Sequence, residues 1–226
     1  MDRQTYESIE RYMLIWMRDS AHDKDHVYRV LYNAMTIAKD EAVQDMDVLI
    51  AAYLLHDVAR PEQMADPSVC HAQAGGDKAY AFLRRIGWPE VQAQHVRQCI
   101  RSHRFRKSAP PETIEAKILY DADKLDVTGA IGVARTLVYN GAANRPIYTT
   151  AADGSILTGE GDTEDSFFRE YRFKLEKVYD RFLTETGARL ARERRAAAES
   201  FYQSIWAEVT DTLSMGRDDV LKEAVR

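Results

Sequence analysis

Asp47-Val48-Leu49-Ile50-Ala51-Ala52-Tyr53-Leu54-Leu55-His56-Asp57 is the stretch on which the fold turns. Its apolar side chains are nearly continuous, so a helix here has no polar face to offer water and must lie centrally. The run then ends abruptly in an imidazole and a carboxylate. Such a doublet at the end of a buried helix is out of place unless something binds it. Neutral imidazole and carboxylate are natural ligands for a divalent ion. The C-terminal end of a helix also carries the negative pole of its dipole, which favours a cation.

The pattern on either side is helical almost throughout. Met13, Ile15, Trp16 and Met17 close a first amphipathic segment near Asp19-Ser20. A second begins around Asp23–Asp25 and carries Val27, Val30, Leu31, Ala34, Ile37 and Ala38 on neighbouring turns. Pro61 and Pro67 frame a loop. Helix resumes from about Cys70 to Ile86, breaks at Gly87-Trp88-Pro89, and runs again from Glu90 to about His103, before a basic loop closed by Pro110-Pro111. Thr113 to Asn140 reads as one long helix, with Gly129 and Gly132 on a face that a neighbouring helix can approach closely. From Gly141 to Thr163 glycine and proline erase the pattern, and the stretch is read as a mobile flap beside the site. Phe167 to Leu221 returns to helix in two segments divided near Gly187.

The expected fold is therefore all-α, one compact domain over residues 1–226. Its core spans about 20–140, the loop or flap 141–163, and helices over 164–226 complete the bundle. Apolar residues at 45% and charged residues at 30% fit a soluble globular chain, not a disordered one. A net charge of −5 argues against a stable nucleic-acid partner. The longest apolar run, Val48 to Leu55, is too short to span a bilayer, so no membrane association is expected. Cys70 and Cys99 fit no paired motif and read as free thiols in a reducing compartment, which with the absence of a signal segment suggests the cytoplasm. The oligomeric expectation is a monomer or homodimer.

All six histidines, His22, His26, His56, His71, His95 and His103, fall in the first half. The order His26, then His56-Asp57, then a later aspartate in Asp121-Ala122-Asp123-Lys124-Leu125-Asp126 resembles the HD-domain superfamily of metal-dependent phosphohydrolases. The match extends through His22-Asp23, Arg29-Val30, Leu54-Leu55, His71 with Ala74-Gly75, and Gly129-Ala130-Ile131-Gly132. In this breadth the chain is similar to the small stand-alone bacterial members.

The resemblance implies one divalent ion (Mn, Mg, Ni, Zn or Fe) held by His26, His56, Asp57 and Asp123. Asp121 is the alternative fourth ligand. Residues two apart on a helix point about 200° from each other, so the two aspartates do not serve one ion together. Some HD families hold a second metal with two further histidines at the positions of His71 and His103; the alternative, preferred here, is that these two support the ligands of a single ion or contact phosphate beside it. Asp57 doubles as a proton acceptor. Arg29, one turn after His26, and Lys124 are read as catalytic cations; Arg60, Arg104 and Arg106 as substrate-binding, with Arg101 and Lys107 in the same basic loop. Asp126 is placed to orient a water or a substrate hydroxyl. His95 reads as a satisfied surface histidine and His22 as structural or supporting. The implied substrate is a small nucleotide, with (d)NTP going to (d)NMP and pyrophosphate. A nucleotide phosphatase or phosphodiesterase, or a non-catalytic nucleotide sensor, is the alternative.

Overall fold

The structure, a computed structural model, describes residues 1–17, 24–105, 110–159, 162 and 164–225, and omits the side chains of 213–219. His22, Arg106, Lys107 and the Asp19-Ser20 helix end lie outside the described residues. The architecture is all-α. Its elements are α1 (Arg3–Trp16), α2 (Lys24–Ile37), α3 (Met46–Leu55), α4 (Arg60–Ala65), α5 (His71–Arg85), α6 (Glu90–Ser102), α7 (Ile114–Leu125), α8 (Gly129–Ala142), α9 (Phe167–Glu170) and α10 (Glu185–Ala224). A π-helical turn, Tyr171–Leu175, and a short 3-10 turn, Val178–Asp180, lie between the last two. The described residues hold one isolated antiparallel bridge, Thr150 with Ile156.

The chain divides into two compact units. The first comprises residues 1–126 and 182–190, the second 127–181 and 191–226. In the first unit α3 is central, packed against α1, α2, α5, α6 and α7. Seven of its residues, Val48, Leu49 and Ala51 to Leu55, are buried. Its start is fixed twice over. Asp45 Oδ1 accepts the Asp47 and Val48 amides at 3.0 Å each, filling the role of an N-cap. The buried Glu115 on α7 accepts the Gln44 and Asp45 amides at 2.8 and 2.9 Å. The end of α3, and with it His56-Asp57, is thereby set against its neighbours.

Three helix boundaries differ from the sequence reading: the stretch framed by Pro61 and Pro67 holds α4 (Arg60–Ala65), and the other two concern glycines. The expected helix Thr113–Asn140 is two helices, since α7 ends at Leu125 and α8 begins at Gly129. Gly129 sits at φ +61°, a left-handed conformation that breaks a helix and that side chains resist. A Cβ on Gly132 would lie 2.3 Å from the Val127 carbonyl carbon, so the tight turn itself requires that glycine. Conversely, Gly187 divides nothing. It lies in the first turn of α10, which runs unbroken from Glu185, and the break comes just before it. A Cβ there would meet Asp121 Oδ2 at 2.5 Å.

The second unit has its own small core of Val133, Phe167, Phe168, Tyr171, Leu175 and Ala198. Tyr148 and Ile156 pack against it, and the Phe167 and Phe168 amides donate to the carbonyls of Pro146 and Ile147. Within the stretch read as a flap, Tyr148 and Ile156 are thus side chains packed on a core. α8 continues through Ala142, and the segment beyond it contributes side chains to a core, because its glycines and prolines alternate with aromatic and aliphatic residues. No helix among the described residues is long and apolar enough to cross a membrane.

Candidate metal centre

Six side chains converge from five helices of the first unit. His26 projects from the first turn of α2, and His56 caps the C-terminal end of α3 with Asp57 following. His71 opens α5, His103 caps α6, and Asp123 lies in the last turn of α7. His26, His56 and Asp123 form one group able to hold an ion; Asp57, His71 and His103 form another. Asp57 joins them. Its Oδ2 stands 3.6 Å from both His26 Nε2 and His56 Nε2, while its Oδ1 faces His71 Nε2 at 3.5 Å and His103 Nε2 at 3.8 Å. Asp123 Oδ1 is 3.6 Å from His26 Nε2.

The hydrogen bonds on the outer side of each ring decide what faces inward. His26 Nδ1 lies 2.7 Å from Asp126 Oδ2, His56 Nδ1 2.7 Å from the Tyr53 carbonyl, and His103 Nδ1 2.6 Å from the Ile100 carbonyl. His71 Nδ1 lies 2.7 Å from Gln63 Oε1. The nearest partner of each is an acceptor at 2.6–2.7 Å, so each Nδ1 carries the hydrogen and each Nε2 presents a lone pair. The His26 and His56 Nε2 atoms are 3.4 Å apart, as are those of His71 and His103. Lone pairs thus face lone pairs and carboxylates. Asp57 Oδ2 is buried with no hydrogen-bond partner among the described residues. An orphaned buried carboxylate oxygen is costly, and inward lone pairs facing carboxylates suit a cation. The donor set fits a divalent ion, with outer-side acceptors of the kind that fix the tautomer of ligating histidines.

Electrostatics point the same way. Burial pushes His103 down to about 4 and His71 to about 2, the latter against the opposing pull of Asp57, so both are neutral, the form that binds metal. Burial would raise Asp57, but Arg60, His56, His26 and His71 outweigh it and hold its carboxyl well below the usual range. At Asp123 burial is likewise outweighed, by Lys124, His26, His56 and His103, and the carboxyl is lowered.

Asp121 faces elsewhere. Its carboxylate accepts from the Leu183 and Thr184 amides and the Thr184 hydroxyl at 2.7–3.1 Å, docking the start of α10. Asp126, expected to orient a water or a substrate hydroxyl, lies behind His26. It is buried, and its two oxygens take His26 Nδ1 and the Arg29 guanidinium, Nε at 2.8 Å and Nη2 at 3.2 Å. Arg29 is correspondingly tied to Asp126 instead of projecting freely at the ion position. Arg60 Nε donates to Asp57 Oδ1 at 2.9 Å, which gives it a partner inside the centre. Lys124 Nζ lies 3.9 Å from Asp123 Oδ2. Arg104 Nη1 approaches His71 Nδ1 at 3.4 Å. His95 stands apart, with Nε2 3.0 Å from the Thr113 hydroxyl. Gln63, which lines a cleft of about 330 Å³ with Ser68, Gln73, Arg104 and Phe105, had no signal in the sequence.

Residues 24–128 match the HD domain family. Solved structures agree over nearly the full length. A Lactobacillus plantarum protein superposes with TM-score 0.74 at 26% identity, covering 93% of this chain and 99% of its own. A predicted HD superfamily hydrolase from an uncultured Thermotogales bacterium gives TM-score 0.60 at 29% identity, covering 91% and 92%. Bacillus subtilis YpgQ is 28% identical over 194 residues, 84% of this chain and 85% of YpgQ. Its structure in complex with ADP gives TM-score 0.70, covering 90% of this chain and 97% of that one.

Proposed function

We propose that this protein is a metal-dependent phosphohydrolase of small nucleotides, converting a nucleoside triphosphate, ribo or deoxy, to the monophosphate and pyrophosphate. The observation that carries the reading is the acceptor-only cluster around the orphaned Asp57 Oδ2. The HD-hydrolase relatives support the reaction class, and the ADP complex of YpgQ supports a nucleotide as ligand. His26, His56, Asp57 and Asp123 would hold one divalent ion (Mn, Mg, Ni, Zn or Fe). The inward lone pairs of His71 and His103 on the other face of Asp57 favour a second ion, in place of the supporting or phosphate-contacting role the sequence suggested for them. Ions held there supply Lewis acidity toward a phosphoryl oxygen and toward water.

The chain's own residues do the rest. Asp126, Gln63 and the Tyr53 and Ile100 carbonyls keep four imidazoles in the binding tautomer. Arg60 offsets the charge of Asp57, and Asp57 Oδ2, without a hydrogen-bond partner among the described residues, would be the proton acceptor. Lys124 and Arg104, both partly exposed, are cations suited to phosphate oxygens that a triphosphate presents beyond the attacked phosphorus. The cleft beside Arg104 is at the small end of the size range of ligand pockets.

Metal quantification on the purified protein, followed by chromatography of products from a nucleotide panel, tests the reading. His56→Ala or Asp57→Ala should lose both bound metal and hydrolysis while keeping the helical circular dichroism signal. Full activity in either variant would sink the assignment. NMP with pyrophosphate supports the named bond, orthophosphate release makes the protein a phosphatase, and nucleotide binding without product makes it a sensor.

A further inference from the structure

The four inward imidazoles are not held alike. His56 and His103 each end a helix, so the carbonyl three residues back, Tyr53 or Ile100, lies beside Nδ1 and takes its hydrogen. His26 uses a carboxylate. His71 begins α5, and no helical turn precedes it to offer a carbonyl. Its acceptor has to come from another element. Gln63 on α4 supplies it at 2.7 Å.

An amide has one accepting and one donating end, so only one orientation serves. Here Gln63 Nε2 donates to the Val69 carbonyl at 3.1 Å, which turns Oε1 toward the ring. The same Oε1 receives Arg60 Nη1 at 3.4 Å, and Arg60 Nε donates to Asp57 Oδ1. Gln63 thus reaches two of the three members of the second group, one directly and one through a guanidinium. A competitor stands on the same side, because Arg104 Nη1 lies 3.4 Å from His71 Nδ1. A guanidinium can only donate. Without Gln63 it would draw the Nδ1 lone pair, move the ring hydrogen to Nε2 and point an N–H at the ion position.

We infer that Gln63 is the positioning residue that enables Asp57, His71 and His103 to hold a second divalent ion, and so decides whether the protein works with one ion or two. The inference rests on the two-ion reading above. It adds that the two positions are separable: the first depends on Asp126 and the Tyr53 carbonyl, the second on an amide at the wall of the cleft.

Titration of the metal-stripped full chain with Mn²⁺, followed by calorimetry and by the electron paramagnetic resonance of free Mn²⁺, tests it. Wild type should take up two equivalents. Gln63→Leu should weaken the second by about 10–100-fold, the usual cost of removing an outer-side partner, and leave the first unchanged. Gln63→Glu, which restores an acceptor, should recover the second. Two equivalents of unaltered affinity in Gln63→Leu would refute the role of Gln63 and leave the two-ion reading intact. A single equivalent in saturated wild type would refute that reading and the inference with it. Equal weakening of both equivalents in Gln63→Leu, with no rescue by Glu, would reduce Gln63 to a structural residue.

Discussion

Asp126→Asn removes one charge without changing volume, and its effect is calculable from the contacts. Asp126 presents acceptors only, to His26 Nδ1 at 2.7 Å and to Arg29 Nε and Nη2 at 2.8 and 3.2 Å. Asparagine offers one accepting end and one donating end, so its amide nitrogen must abut an N–H on one side or the other. If it keeps Arg29, the His26 ring either loses its acceptor or adopts the other tautomer, which turns Nε2–H inward. Loss of such a partner lowers metal affinity about 10–100-fold, or about 1.4–2.8 kcal/mol. In the metal-free protein a hydrogen bond to a charged group is worth about 1.5–3 kcal/mol. Arg29 is about one-third exposed, so solvent replaces part of its share and the cost should fall near the lower bound. The assay is a urea unfolding curve in chelator beside a Mn²⁺ titration of the folded protein. The variant should be modestly less stable without metal, and the gap should widen when metal is added, because the ion stabilises only the state that binds it. An affinity for the first ion within about threefold of wild type, well short of that loss, would refute the claim that Asp126 sets the His26 tautomer.

Asp121 and Asp123 should separate cleanly. Asp123→Asn should weaken the first ion, whereas Asp121→Asn should not. Burial lifts Asp121 to about 6 despite its three donors. A carboxyl raised on folding contributes stability in full below its unfolded value near 3.8 and loses it as pH climbs through about 6. The stability of Asp121→Asn minus that of wild type should therefore grow between those limits in urea midpoints, and a flat difference would contradict the raised value. Gly132→Ala should destabilise by about 1–3 kcal/mol or more in thermal or urea unfolding, since its Cβ would meet Val127 backbone that has no room to yield. Gly141→Ala is the matched control: nothing lies within 4 Å of its Cβ, and a helical Gly→Ala change should stabilise by about 0.5–1 kcal/mol.

What the sequence disclosed was what repeats or adjoins. The apolar run into His56-Asp57 marks a buried helix ending in ligands because both facts are local, and the placing of His26 and Asp123 follows from the order of motifs. The two glycine readings fared differently. Gly129 looked like a packing glycine and is that as well as a break, since its Cβ would lie 2.9 Å from Arg194 Cβ of α10 while its φ is +61°, whereas Gly187 looked like a break and is a close approach to Asp121. A glycine's letter states that a side chain is absent, not whether φ or a neighbour demands it. The roles of Asp126 and Gln63 were hidden for another reason. Each is fixed by which end of a ring or an amide faces which partner, across 100 residues for Asp126 and His26. Hydrophobic periodicity carries no such information. Tyr148 and Ile156 show the same limit, since a punctuated stretch conceals which of its side chains find a core.

The docking of Leu183 and Thr184 on Asp121 bears on the order in which the protein is made. The chain completes α7, builds residues 127–181 into the other unit, and supplies residues 182–190 to the first unit only afterwards. Until then Asp121 lacks all three donors that residues 183–184 provide. A nascent chain on the ribosome therefore carries every candidate metal ligand long before the carboxylate two positions from Asp123 can be satisfied. Closing that contact across 62 residues is a late, non-local event.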